Sequence, residues 1–254
     1  MKIIVCGKGG SGKSTIATLT AKALRGRGFD VLLIDADESN LGLHRLMGVA
    51  APVNIMDDMG GKKSFKQKMN SGFSTSPAPP FRDVIGINDI SKDCITTVDG
   101  VRLISIGKIH EAGEGCACPM GILSKMVLSG ITVKNSEIVI IDTAAGVEHF
   151  GRGIDLKCDL ILNVVDPTFE SFMLAKKIEK MADTSGIEIF HVLNKVEDEV
   201  IDAMTSAMDQ EKVIARIPAN KAIFVNSLKG KELFYDMPEL DPVCDLIEKK
   251  NPLN

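Results

Sequence analysis

Short apolar runs alternate along the chain with longer stretches in which apolar and polar positions recur at helical spacing. The runs KIIVC (2–6), VLLID (31–35), VRLISI (101–106), EIVIID (137–142), DLILNVVD (159–166), IEIFHVLN (187–194) and KVIARI (212–217) are rich in Ile and Val and nearly continuous in apolar character. Strands buried on both faces read this way. Between several of them lie helical patterns, Lys13 to Arg27, Glu170 to Ser185 and Glu199 to Asp209. Strand–helix–strand alternation predicts an α/β fold, a mostly parallel sheet flanked by helices on both faces. The rhythm breaks at about 57–99, where GGKKSFKQK and STSPAPP make a polar stretch too long for an ordinary loop. The expectation is a single domain over 1–254 with a polar insertion there.

Composition narrows the classes. With 254 residues and 44% hydrophobic content, a sizeable core is available, and a net charge of -4 argues against nonspecific nucleic-acid binding. No apolar run approaches the ~20 residues of a membrane span. The first residues, MKIIVCGKGG, enter an apolar run and a glycine loop with no cleavage-site pattern. A cytoplasmic location is therefore expected, with no nucleic acid and no membrane among the partners. Cytosolic thiols are mostly reduced, so the six cysteines read as thiols or metal ligands and not as a disulfide framework. No internal repeat is visible.

GKGGSGKS, Gly7 to Ser14, fits G-x-x-x-x-G-K-[ST] between a predicted strand and a predicted helix. Backbone N–H groups of Gly9, Gly10, Ser11 and Gly12 can curl around phosphate oxygens at the positive end of the helix that Lys13, Ser14 and Thr15 begin. Lys13 can neutralise terminal phosphates, and the Ser14 hydroxyl can hold Mg²⁺. Asp35 and Asp37 end one predicted strand and Asp142 another. Carboxylates at the carboxyl ends of parallel strands face the ligand crevice. There one can hold the Mg²⁺ shell and another orient water, the alternative for each being a helix cap. Asp35 fits a supporting role beside the site or a structural one. Asp166 reads as a helix cap, because Pro167 suits a first helical position. VLNKV places Asn194 and Lys195 after a strand, similar to half of a base-reading motif. The aspartate of guanine readers is missing at its spacing, with Glu197 and Asp198 off pattern, so Asn194 is read as an adenine contact. ARIPAN, around Pro218, would pass near the base as well.

GEGCACPMG (113–121) sets Cys116 and Cys118 around one alanine. In an extended chain residues i and i+2 face the same side, with Cα atoms about 6.6–6.8 Å apart, near the upper edge for a disulfide. Two thiolates are half of a four-sulfur site, and a symmetric dimer with the pair on its axis would supply four. Cys6 and Cys158 read as small core residues; Cys94 and Cys244 carry no pattern. His110 is close enough in sequence to be an extra ligand or proton carrier, and His149 is placed to transmit a switch motion, but both fit structural roles.

KGGSGKS resembles the deviant Walker A motif of the dimeric ATPases that include MinD, ParA, ArsA and nitrogenase iron protein. The resemblance implies a P-loop NTPase in which Lys8 reaches across a dimer to the partner's nucleotide, Asp37 sits in the water-orienting switch and Asp142 in the Walker B switch. Lys8, Lys13, Asp37 and Asp142 are thus the expected catalytic set of an ATPase. Together with C-x-C, the DAD strand end, DTAAGVEHFGRG and VLNK, the chain resembles the CooC-type ATPases, nickel-insertion factors for carbon monoxide dehydrogenase. That implies a homodimer, ATP with Mg²⁺, and nickel, or alternatively zinc, held by Cys116 and Cys118 of both chains. The implied client is carbon monoxide dehydrogenase or acetyl-CoA synthase. Two alternatives stand beside it. One is an iron–sulfur carrier or electron-transfer ATPase like nitrogenase iron protein. The other is a MinD/ParA-like positioning ATPase, whose membrane version needs a basic amphipathic tail that DPVCDLIEKKNPLN does not provide.

Overall fold

The computed structural model describes residues 1–70, 90–109, 118–151, 153, 158–234 and 236–253. Its strands are β1 (Lys2–Gly7), β2 (Asp30–Ala36), β3 (Thr96–Val98), β4 (Val101–Ser105), β5 (Glu137–Thr143), β6 (Leu160–Val165), β7 (Glu188–Val196) and β8 (Val213–Pro218). Its helices are α1 (Lys13–Gly26), α2 (Leu43–Leu46), α3 (Ile55–Asp58), α4 (Gly61–Asn70), α5 (Cys118–Gly130), α6 (Glu148–Gly151), α7 (Phe169–Ser185), α8 (Ile201–Ser206), α9 (Lys221–Leu228) and α10 (Asp241–Lys250). The strands form one sheet in the order β3-β4-β2-β5-β1-β6-β7-β8. Each of the seven apolar runs becomes a strand, and every pairing among them is parallel. The short β3 pairs antiparallel with β4 at the edge.

The near-continuous apolar character of the strands has a direct cause. Ile3, Val5, Val31, Leu33, Ile138 and Ile140 pack on one face with α1, α2 and α10. Their neighbours Ile4, Cys6, Leu32, Ile34, Val139 and Ile141 pack on the other with α3, α4, α5 and α7. Successive strand residues point to opposite faces, so covering both faces requires an apolar residue at every position. Each such Ile or Leu contributes about 1.5–3 kcal/mol through burial. The polar stretch at 57–99 contains α4 and β3, and α4 anchors to the second core through buried Phe65. Residues 71–89 of that stretch lie outside the described residues.

Two local expectations change. The cap of α7 is Thr168, whose side chain accepts from Ser171 N, and the helix opens at Phe169, not at Pro167. Asp166, expected as the cap, directly follows β6; its side chain accepts from Thr168 Oγ1 at 2.9 Å and pairs with Lys8. The helix expected over Glu199 to Asp209 is only Ile201–Ser206, because the Asp209 side chain accepts from Glu211 N and caps a separate 3₁₀ turn.

Strand order reverses about β1, with β5 and β2 on one side and β6 to β8 on the other. In open parallel sheets the crevice beyond the carboxyl ends at such a reversal is where ligands bind. The loop after β1 lies there.

Candidate nucleotide and metal site

Gly7 and Gly12 fix the shape of the loop between β1 and α1. Gly7 has φ 141, and a Cβ there would stand 2.3 Å from the Val164 carbonyl oxygen of β6. Gly12 has φ 99, and a Cβ there would stand 2.2 Å from Asn194 Nδ2. Only glycine tolerates both the left-handed backbone and the close approach. The loop ends on α1, 14 residues long with no acidic residue in its first turn, so the positive end of its dipole is free to receive an anion. Buried Lys13 reaches back over the loop, and its Nζ donates to the Lys8 carbonyl at 3.2 Å. A cavity of about 800 Å³ opens above Gly9, Gly10, Gly12, Lys13, Ser14 and Thr15.

Three carboxylates converge beside it. Asp35 and Asp142 are register partners on adjacent strands, and Asp37 follows on the turn that lines the cavity. Ser14 Oγ donates to Asp142 Oδ2 at 2.6 Å, and Asn40 Nδ2 donates to Ser14 Oγ at 2.9 Å. Asp142 Oδ1 is buried with no hydrogen-bond partner among the described residues. Burial pushes the Asp142 carboxyl up to about 7, with Asp35 and Asp37 adding repulsion against the Ser14 bond and the Lys13 charge. Asp35 is pushed up to about 6, again chiefly by burial, although the Lys108 ammonium stands 2.7 Å from its Oδ2. A buried carboxylate with one oxygen on a serine hydroxyl and the other unsatisfied has the donor chemistry that Mg²⁺ takes. Asp37 Oδ1 accepts from Ser39 N at 2.9 Å and Ser39 Oγ at 2.6 Å, which fixes the turn and leaves the carboxylate at the cavity wall.

At the other end, Asn194 and Lys195 both grip the phosphate loop. Asn194 Nδ2 donates to Ser11 O at 2.7 Å and Lys195 Nζ to Gly10 O at 2.6 Å. Lys195 has φ 58, at an irregularity in the β7–β8 register that turns its side chain toward the loop. Asn194 lines the cavity, with its amide nitrogen committed to the loop. Pro218, Ala219, Ile223 and Phe224 line the same end, an apolar surface suited to a flat base.

Lys8 pairs within its own chain, Nζ to Asp166 Oδ2 at 3.4 Å, with 29% of its side chain still exposed. Sequence reasoning missed this partner, and also Asn40 and Lys108. Asn40 had a signal, an amide side chain three residues beyond Asp37 at a polar strand end; Lys108 had none. Cys116 and His110 lie outside the described residues, and of Cys118 only the backbone is described, as the first residue of α5. Cys6, Cys94, Cys158 and Cys244 are buried thiols. Burial raises the thiols of Cys6 to about 12 and of Cys94 and Cys244 to about 11, which keeps them protonated. Buried His149 stacks on Phe150 with centroids 4.4 Å apart. No group of three or more His, Cys, Asp or Glu side chains is arranged to hold a metal among the described residues, and no described helix is long and apolar enough to cross a membrane.

The family model described as the CobQ/CobB/MinD/ParA nucleotide binding domain matches residues 2–234. An uncharacterized ATP-binding protein of Methanocaldococcus jannaschii is 43% identical over 249 residues, covering 98% of this chain and 100% of that protein. The carbon monoxide dehydrogenase accessory protein CooC of Rhodospirillum rubrum is 33% identical over 253 residues, covering 96% of this chain and 92% of that protein. Among solved structures, septum site-determining protein MinD of Pyrococcus horikoshii, complexed with Mg-ADP, superposes with a TM-score of 0.66 at 19% identity, covering 99% of this chain and 95% of that one.

Proposed function

The chain belongs to the CobQ/CobB/MinD/ParA nucleotide-binding family and is a P-loop ATPase, and from that premise we propose that it is an ATP-dependent nickel chaperone. In this reading it works as a homodimer, carries the metal on Cys116 and Cys118 of both chains, and delivers it to carbon monoxide dehydrogenase or acetyl-CoA synthase. One observation carries the reading: the C-x-C pair stands in the same chain as the two-lysine phosphate loop, and that chain is alike over nearly its whole length to a carbon monoxide dehydrogenase accessory protein. The buried, protonated state of Cys6, Cys94 and Cys244 adds support, since thiolates and not thiols bind metals.

The nucleotide chemistry follows from the side chains. The loop N–H groups and the α1 dipole hold the phosphates, and Lys13 places its charge at the terminal ones. Ser14 and Asp142 would hold Mg²⁺, with the unsatisfied Asp142 oxygen as the fitting donor. Magnesium, when bound, offsets charge on the β- and γ-phosphates. Asp37 orients water for attack on the γ-phosphorus; the bond to the bridging oxygen breaks, giving ADP and phosphate. Lys8 exchanges Asp166 for the partner's nucleotide when two chains close, and Asp166 keeps the bond it accepts from Thr168 Oγ1 at 2.9 Å. Nickel is cargo. Closing the dimer joins four thiolates, and hydrolysis separates them, so metal affinity differs between the two states.

Metal analysis of the wild type and of Cys116→Ala and Cys118→Ala tests this. One nickel per dimer in the wild type, lost in both variants while ATP binding persists, is the expected result. One nickel per chain, or full binding by either variant, contradicts it.

A further inference from the structure

The turn that carries Asp37 is held from outside by the chain that continues β4. Ile106 N donates to Asp35 O at 3.0 Å and Ile109 N to Glu38 O at 3.2 Å. Between them, Lys108 Nζ donates to the Asp37 carbonyl at 2.6 Å and pairs with Asp35 Oδ2 at 2.7 Å. Both ends of that ion pair are buried, with side-chain exposures of 12% for Lys108 and 5% for Asp35. Asp35 Oδ1 in turn accepts from Asp37 N at 3.3 Å. One ammonium therefore fixes the Asp37 peptide on both sides, directly at its carbonyl and through Asp35 at its nitrogen. The Asp37 carboxylate is aimed by Ser39 within the same turn. The chain beyond Ile109 runs on to Cys116, eight residues after Lys108.

We propose that Lys108 is the positioning residue for the Asp37 carboxylate, and that it ties the hydrolytic turn to the chain leading into Cys116 and Cys118, so that nucleotide state is felt at the thiols. The inference rests on the reading of Asp37 as the water-orienting group. Lys108 lines a second cavity of about 360 Å³ under the turn, on the side away from the phosphate loop. It acts on the reaction through Asp37 and touches no phosphate.

The consequence is a split between binding and turnover. Lys108→Met leaves the phosphate loop untouched, so KM for ATP stays near wild type while kcat falls by about 10- to 100-fold, the scale of a misplaced catalytic group. Lys108→Arg keeps a cation and a donor, and recovers most of the rate. Lys108→Met with Asp35→Asn removes the buried carboxylate that the single change leaves unpaired. A purely structural role is cured by that second change, whereas a positioning role is not, because the Asp37 carbonyl is still unheld. The second readout needs no metal. In wild type, alkylation of Cys116 and Cys118 by iodoacetamide, followed by peptide mass spectrometry, changes rate by about fivefold or more when a non-hydrolysable ATP analogue is added, and in Lys108→Met by less than about twofold.

Asp37→Asn serves as the reference. Wild-type turnover in Asp37→Asn sinks the reading on which the inference stands. A slow Asp37→Asn beside a fast Lys108→Met sinks the inference alone. So does a double variant that regains wild-type kcat, an alkylation rate that ignores the analogue in wild type, or one that responds equally in Lys108→Met.

Discussion

Gly12 and Asn194 share one contact, so changing both should cost less than the two changes separately. Gly12→Ala places a methyl 2.2 Å from Asn194 Nδ2, against the 3.4 Å of ordinary contact, so the amide must move by about 1.2 Å. That shift breaks its 2.7 Å bond to Ser11 O. The buried acceptor left behind costs about 1–3 kcal/mol, and alanine at φ 99 adds about 1–2 kcal/mol, for about 2–5 kcal/mol in all. Asn194→Ala loses the same bond alone, about 1–3 kcal/mol. In the double variant the clash has no partner and the bond is counted once, so the cost stays at about 2–5 kcal/mol. The predicted coupling is therefore about 1–3 kcal/mol, the double variant being more stable than the sum implies. Urea denaturation of the four proteins measures it, with ATP calorimetry showing weaker binding in all three variants. Additive costs, within the roughly 0.5 kcal/mol expected of independent sites, would refute the claim that Asn194 braces the phosphate loop.

Other outcomes follow from the same geometry. Asp37→Asn should bind ATP and Mg²⁺ but turn over slowly, accumulating the closed dimer; single-turnover kinetics with sedimentation checks both, and a wild-type rate moves the water-orienting role elsewhere. Lys8→Ala should cost some chain stability, because it takes the lysine from a nearly buried Asp166 carboxylate that keeps its bond from Thr168 Oγ1, and should weaken ATP-driven dimerisation. Equal dimerisation in sedimentation denies Lys8 a role across the interface. The Asp142 carboxyl at about 7 lies above the ordinary 3.8, so the folded state binds that proton more tightly than the unfolded one. Its contribution to stability is full below about pH 4 and is lost as pH rises through about 7. In EDTA, the fall in Tm between pH 5 and 8 should be smaller in Asp142→Asn than in wild type; identical slopes contradict the buried-carboxylate account.

The strands were legible because a parallel sheet buried on both faces needs Ile and Val at consecutive positions, and each of the seven runs became a strand. The phosphate loop was legible because glycine is forced there by φ and by contact with Val164 and Asn194. Partnerships between distant residues were not. Nothing local tells that Asp166 leaves the α7 cap to Thr168 and pairs with Lys8, since that depends on the β1–β6 neighbourhood. Nor does the sequence tell that the Asn194 amide serves Ser11, or that Lys108 bridges Asp35 and Asp37, because those bonds span 183 and about 70 residues. The polar stretch at 57–99 hid α4, whose single buried aromatic, Phe65, is too sparse a signal to outweigh its lysines. Short helices such as α2 and α3 carry too few residues for periodicity to show.

The central claim is that nucleotide state sets metal affinity, and it is tested most directly by titrating one preparation of wild-type protein with nickel twice. One titration is run with ADP, the other with a non-hydrolysable ATP analogue, and mass is measured at each point. The account predicts one nickel per dimer in both, bound about 5- to 150-fold more tightly with the analogue, and by linkage an equal rise in analogue affinity relative to ADP affinity when nickel is present. Nickel affinity that is the same in the two nucleotide states would contradict it.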